Sequence, residues 1–283
     1  MGFFKTQWVD HQKKIHDCWL RSSPELHLKQ ALSLGLDKVY QIGQAFRNNG
    51  EISEWHHPEF TMLEWYQAGL GYHEMMAQTE ELLRYSWEDI NNAHPIQWKM
   101  PHQFKKITVT EAFRKYANIE LIDNDPKLWK KAIDNGVISV NQKEDFETAF
   151  YKVLLEKIEP ALKQEQVIFL YDYPASQAAL AETIGPIAQR FELYFHGIEL
   201  CNAFYELTSP EENQDRFSRA QEARATLGYP QVPEDDAFIS ALKKGIPKSS
   251  GNALGFDRWL AILLNQNNIA NVIPFYWREP FRL

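Results

Sequence analysis

Polar and apolar residues along the chain follow two rhythms, and the change from one to the other marks out most of its elements. After Ser23-Pro24-Glu25, the apolar residues Leu28, Ala31 and Leu32 fall on one side of a helix that Gly35 ends. Serine suits the N-cap, proline the first helical position, and an acid beside them meets the positive end of the helix dipole. Two β-like runs follow, 39–46 and 60–66, on either side of a long polar connection that contains Asn49-Gly50. A long hairpin loop held between two strong strands is more often functional than decorative. Residues 72–91 predict a helix with Met75, Met76, Thr79, Leu82, Leu83 and Ile90 near one face. Thr108-Val-Thr-Glu111 is a capping box opening another. From 143 to 163, Phe146, Phe150, Val153, Leu154 and Ile158 recur at helical spacing, and 166–171 predicts a strand. Residues 190–207 predict a hairpin turning at His196-Gly197. Ser209-Pro210-Glu211-Glu212 opens a helix, and 235–244 forms another closed by Gly245. A Gly- and Ala-rich stretch, 249–258, leads into the apolar helix 259–264.

Strands that follow one another predict local pairing, which favours α+β with an antiparallel sheet over alternating βαβ units. The chain has 283 residues, room for one large domain or two modest ones, and 44% hydrophobic with 24% charged residues is an ordinary globular balance. No run of 18 apolar residues exists to span a membrane. The start, Met1-Gly2-Phe3-Phe4-Lys5-Thr6, lacks a signal-peptide layout. Cys18 and Cys201 are too few for a disulfide framework, so the expected setting is reduced and cytoplasmic. A net charge of −8 gives no basic footprint for nonspecific nucleic-acid binding. Neither G-x-G-x-x-G nor a Walker pattern occurs.

Three groups of residues could carry chemistry. In the hairpin, a two-residue turn pairs Phe195 with Ile198 and, if the strands are regular, Glu192 with Cys201. Glu192 and Glu199 then share a face about 7–8 Å apart. Such carboxylates are either solvated or neutralised, and Mg²⁺ with phosphate oxygens is one neutraliser. Asn202, Phe204 and Glu206 have the other parity, so a single site containing all of them requires a bulge near 200–202. Glu64 lies among Met62, Leu63 and Trp65, where a carboxylate needs a partner: a ligand ammonium, with Tyr66 nearby, or a lysine or arginine of the chain itself. Arg47 and Arg258 offer guanidinium forks for phosphate. His56 and His57 add donors, or are simply structural.

Taken together, Phe46-Arg47-Asn48, His56-His57-Pro58-Glu59-Phe60-Thr61-Met62-Leu63-Glu64-Trp65-Tyr66 and Gly251-Asn252-Ala253-Leu254-Gly255-Phe256-Asp257-Arg258 resemble motifs 2 and 3 of class II aminoacyl-tRNA synthetases. Ser23-Pro24-Glu25-Leu-His-Leu-Lys29 and the stretch from Arg190 through Glu206 resemble the lysine-specific branch. Pro174-Ala175-Ser176-Gln177, together with Ala253 where tRNA-charging members usually carry glycine, is similar to the paralogue group that modifies elongation factor P. The resemblance implies an antiparallel sheet flanked by helices, a single catalytic domain over 1–283, and a helical insertion at about 108–165.

It further implies an ATP-dependent ligase that activates lysine or (R)-β-lysine as an acyl-adenylate and passes it to a lysine of elongation factor P, with tRNA not the expected acceptor; the alternatives are a lysyl-tRNA synthetase-like enzyme activating another amino acid or charging tRNA, and an inactive paralogue that binds a ligand or partner. Arg47 and Arg258 would be the catalytic pair on the α- and γ-phosphates. The nucleotide site would comprise Arg47, Asn48, Asn49, His56, His57, Glu199, Leu200, Gly255 and Arg258. Glu192 and Glu199 would hold Mg²⁺. Ser23, Pro24, Glu25, Glu64, Tyr66, Asn202 and Glu206 would form the amino-acid site, with Glu25 taking the α- or β-ammonium, Glu206 and Tyr66 the ε-ammonium, and Asn202 the carboxylate. Asn49 and His57 depart from the family's usual glutamate and asparagine. Only 22 residues precede Ser23, so the motif 1 helix that builds the family's homodimer is expected to be missing.

Overall fold

Antiparallel pairing of consecutive strands builds nearly all of the framework of residues 2–274 and 276, the part of the chain that the computed structural model describes. An N-terminal hairpin, β1 (Lys5–Val9) and β2 (Ile15–Trp19), stands apart as its own two-stranded sheet. Its exposure explains why no buried face announced it in the sequence. Helix α1 (Glu25–Ser33) begins one residue later than the capping pattern predicts, because Pro24 takes the cap position and Ser23 instead accepts the Glu25 N–H through its Oγ at 2.9 Å. Gly35 ends it at φ +90°, the left-handed region that glycine enters freely.

The main sheet runs β3 (Lys38–Phe46), β4 (Glu59–Ala68), β10 (Ser249–Gly255), β9 (Ile198–Tyr205), β8 (Ile187–Phe195), β6 (Val167–Pro174) and β5 (Lys105–Thr108), with the short β7 (Thr183–Ile184) on β8. All pairs are antiparallel except β5 with β6. The glycine-rich stretch therefore becomes a central strand, β10, flanked by strong neighbours that supply the packing its small side chains cannot.

Long helix α2 (Tyr72–Ala93) and α9 (Phe256–Leu263) cover one face. Met75, Met76 and Leu83 of α2 and Trp259, Ile262 and Leu263 of α9 pack on Trp65, Phe191, Leu193, Cys201 and Leu254. The opposite face is left open at its centre. At one side α1 and α8 (Asp236–Lys244) seal it, with Leu32, Phe238, Leu242 and Tyr66 in contact, and α7 (Pro210–Thr226) backs them. At the other side lies the helical segment between β5 and β6: α3 (Val109–Ala112), α4 (Leu128–Asp134), α5 (Phe146–Val153) and α6 (Glu159–Leu162), with π-helical turns at Phe113–Ala117 and Leu154–Ile158. The capping box at Thr108 and Glu111 is formed as the sequence predicts. Among the described residues no helix is long and apolar enough to cross a membrane.

Phe150 anchors the helical segment. It is fully buried, stacks on Phe113 at 5.0 Å and meets Tyr173 of β6. Phe150→Ala is expected to lower unfolding stability by about 3–5 kcal/mol through lost burial and a residual cavity, read by denaturant unfolding.

Candidate active site

The open sheet face is where the polar residues gather, and strand register decides which of them arrive. Phe195 pairs with Ile198 across the tight turn at His196 and Gly197, whose φ values of +45° and +78° fit a type I′ turn. Tyr194 then pairs with Glu199, but Leu193 pairs with Cys201, so Leu200 is an extra residue, a β-bulge. The consequence is that Glu192 faces Asn202 rather than Cys201, as regular pairing would have it. Glu199, Asn202, Phe204 and Glu206 now share the face of Arg190, Glu192 and Tyr194. Across β10 the same face presents Gly251, Ala253 and Gly255, and across β4 it presents Tyr66, Glu64 and Met62.

At one end of this face is a cavity of about 320 Å³, lined among others by Arg47, His56, His57, Glu199, Leu200, Asn202, Gly255 and Arg258. That volume falls in the range of small-molecule sites. Arg47 enters from the end of β3, its backbone N–H bonded to Pro58 O at 2.8 Å and its guanidinium carbon 5.1 Å from the Phe60 ring centre. Its Nε is buried without a hydrogen-bond partner among the described residues, which suits an anionic guest. Arg258 sits in the first turn of α9, where its Nε donates to Trp55 O at 3.0 Å and Nη1 to Glu199 O at 2.5 Å. The two hydrogen bonds aim the guanidinium and tie the loop to the hairpin. His56 shares a 2.8 Å contact with Ser53 Oγ, and burial, with Arg258 beside it, holds its imidazole below the usual range. His57 approaches Glu59 O through Nδ1 at 2.6 Å and packs on Tyr276. Asn48 and Asn49 do not line the cavity; Asn48 bonds Gly2 through its backbone, and Asn49 turns the loop at φ +56°.

The two carboxylates expected at a cation stand together but differ in surroundings. Glu192 is buried and takes donors from Arg190 Nη2 at 2.5 Å, Tyr194 Oη at 2.7 Å and Asn202 Nδ2 at 3.0 Å. Glu199 faces the cavity, and its carboxyl is pushed up by burial and by Glu192, against the pull of Arg258, Arg47 and Arg190. Among the described residues no group of three or more His, Cys, Asp or Glu is set to hold a metal. Of the two, Glu199 faces the cavity and is the residue that would hold a Mg²⁺ there.

Across Ala253 lies the second group. Glu64 is buried, accepting from Ser23 Oγ at 2.6 Å and from Tyr66 Oη at 2.6 Å. Burial, then the charge of Glu25, pushes its carboxyl up to about 7 although both hydroxyls pull it down. The chain's own cation, an alternative left open for Glu64 by the sequence, is present but pairs elsewhere: Lys29 Nζ lies 2.6 Å from Glu25 Oε1 and 2.5 Å from Glu206 Oε2. Glu206 is fully buried and its Oε1 has no hydrogen-bond partner among the described residues. Pro24, buried, seats α1 against this pocket. Asn202 joins the two groups, since its Nδ2 reaches Glu192 while its buried Oδ1 stays unbonded.

Lys29 is the residue that sequence reading passed over. It was visible as the i+4 partner of Glu25, but that spacing is common on exposed helix faces, and only the packing of α1 on the sheet buries it. Arg190 was likewise legible only as part of a motif; its pairing with Glu192 follows from their positions two apart on one face of β8.

Gly251 carries the pocket's tightest steric demand. A Cβ there would lie 2.1 Å from the Tyr66 ring and 2.6 Å from Glu206 Oε1. Gly251→Ala is expected to cost about 1–3 kcal/mol of stability by overpacking, measured by thermal or denaturant unfolding.

A family model described as tRNA synthetases class II (D, K and N) matches residues 3–277. A relative from Hamiltonella defensa named elongation factor P–(R)-β-lysine ligase is 36% identical over 282 residues, covering 97% of this chain and 82% of the relative. Proteins of the same name from Salmonella arizonae (35% over 279 residues; 96% and 82% covered) and Yersinia pestis (36% over 262 residues; 91% and 77%) are similar in the same way. The chain belongs to the class II tRNA synthetase family that comprises the D, K and N enzymes.

Proposed function

We propose that this protein is a cytoplasmic ligase that uses ATP to activate a lysine-type amino acid, lysine or (R)-β-lysine, and transfers the acyl group to a lysine side chain of elongation factor P. The observation that carries the reading is the adjacency, on one sheet face, of the cavity holding Arg47 and Arg258 and the carboxylate pocket of Glu25, Glu64 and Glu206. The names of the relatives support the amino acid and the acceptor. The cytoplasmic location follows from the acceptor, a translation factor.

In this reading the amino acid's carboxylate oxygen attacks the α-phosphorus of ATP, the bond to the β-phosphate oxygen breaks, and pyrophosphate leaves. Arg47 takes charge on the α-phosphate and Arg258 on the γ-phosphate, with Gly255 letting the nucleotide close on the backbone. Mg²⁺, when bound at Glu199 with Glu192 behind it, supplies charge neutralisation for the triphosphate. Glu206 Oε1 and Tyr66 receive the ε-ammonium, Glu25 the other ammonium, and Asn202 orients the carboxylate. The acceptor amine, having lost a proton, then attacks the acyl carbon and AMP departs. No covalent enzyme intermediate enters; the chain contributes positioning and charge stabilisation.

Pyrophosphate–ATP exchange with lysine, (R)-β-lysine and arginine tests activation, and acyl transfer to elongation factor P or to tRNA tests the acceptor. Exchange with a lysine isomer followed by transfer to elongation factor P is expected. No exchange with any of the three, or transfer to tRNA alone, defeats the proposal. Arg258→Ala is expected to lower exchange by about 10²–10³-fold, the usual scale for a lost charge-stabilising donor. Glu206→Gln is expected to abolish amino-acid-dependent exchange while ATP still binds, read by calorimetry. The raised carboxyl of Glu64 sets a pH dependence: below about 7 it carries a proton that opposes an ammonium guest, so KM for the amino acid is expected to fall as pH rises from 6 to 8. KM for ATP is expected to change little over that window.

A further inference from the structure

The amino-acid pocket contains three carboxylates but one permanent cation. Glu25 comes from α1, Glu64 from β4 and Glu206 from the end of β9; Lys29, one turn along α1 from Glu25, is fully enclosed among them. The other groups facing the ammonium are the Tyr66 ring, 5.8 Å away, and the Tyr66 and Ser23 hydroxyls that bind Glu64. No cationic side chain besides Lys29 pairs with Glu25, Glu64 or Glu206 among the described residues. With all acids ionised, the pocket therefore holds three negative charges and one positive, a surplus of two.

We propose that Lys29 is a specificity-determining positioning residue: by neutralising one of the three carboxylates and holding Glu206 through Oε2, it leaves Oε1 of Glu206 free and sets the pocket's residual charge at the value that a substrate with two ammonium groups cancels. The inference rests on reading this pocket as the amino-acid site. A monocationic amino acid leaves one buried carboxylate uncompensated, a strong penalty at low dielectric, whereas a diamino acid leaves none. The geometry of the pair supports the division of labour. Lys29 occupies Glu206 Oε2 and Glu25 Oε1, while the unbonded Oε1 of Glu206 lies toward Gly251, whose missing side chain lets Oε1 and the Tyr66 ring close on the strand backbone. Burial pushes the Glu206 carboxyl up and Lys29 is the main influence drawing it down, so loss of Lys29 strengthens proton binding at Glu206.

The test compares wild type with Lys29→Met, Lys29→Gln and Lys29→Arg in amino-acid-dependent pyrophosphate exchange between pH 6 and 9. For both neutral variants, KM for the lysine-type substrate is expected to rise at least tenfold at pH 7 and to recover toward pH 9. The acidic limb of the profile moves up by about one unit or more, since one unit of pKa corresponds to a factor of ten. KM for ATP stays within about twofold of wild type, because Lys29 does not line the nucleotide cavity. Lys29→Arg, which keeps the charge, retains the wild-type profile shape. The glutamine variant retains polar contacts with the carboxylates, so the comparison survives if the methionine variant does not fold. Neutral variants whose profiles run parallel to wild type, or whose KM for the amino acid falls, overturn the role of Lys29; a fall means that Lys29 competes with the substrate. A wild type that exchanges neither lysine isomer overturns the reading of the pocket and the proposal with it, an outcome distinct from the first two.

Discussion

Leu200 has no partner across β8, and the arrangement of the candidate site depends on that one unpaired residue. In a regular hairpin, side chains two apart share a face and a shift of one reverses every assignment. The extra residue applies such a shift midway along β9. Beyond the bulge, Asn202 and Glu206 return to the face that Glu199 occupies before it, and Glu192 faces Asn202 instead of Cys201. Leu200 itself turns into the apolar core with Phe191 and Leu193, which fixes the bulge by burial. Without it, Glu199 would lie on the face opposite Glu206, and the cavity of Arg47 and Arg258 could not share a wall with the carboxylate pocket.

That shared wall concentrates charged side chains that are buried, where screening is weak. The two halves manage this differently. Beside the cavity, Arg190 holds the Glu192 carboxylate, and Arg258 fastens to the backbone carbonyl of Glu199. In the pocket, carboxylates outnumber the cation, and the Glu64 carboxyl responds by rising to about 7. A structure optimised for stability alone would avoid buried acids in surplus. Their retention is understandable where a cationic guest completes the balance, and the small residues of β10 let the surrounding side chains approach its backbone. Gly251 is the strictest case, since Tyr66 and Glu206 occupy the volume that its side chain would need.

Much of the fold was legible because single elements announced themselves. The helices at Phe146, Ser209 and Asp235, the hairpin turn at His196-Gly197 and the capping box at Thr108 all rest on interactions within a few residues. The N-terminal hairpin was not legible, because neither of its faces is buried. Strand β10 read only as a Gly- and Ala-rich approach to a helix, because Gly251, Ala253 and Gly255 have little strand preference of their own; β4 and β9 impose the conformation. Within the site, Arg47, Glu199, Gly255 and Arg258 meet at the cavity, while Asn48 and Asn49 shape the loop beside it.

The amino-acid sequence by itself determined the kinds of elements, their order and the residue types present, because periodicity, capping and turn chemistry act over short distances along the chain. Only the tertiary structure decided that Lys29 is enclosed rather than solvated, and that Glu206 offers one oxygen to it and keeps the other unbonded. It alone decided that a bulge aligns acids of opposite parity. These outcomes depend on contacts between residues far apart in the chain, such as Lys29 with Glu206 and Gly251 with Tyr66, and on burial, which sets the electrostatic strength of every pair and is a property of the packed molecule rather than of any segment.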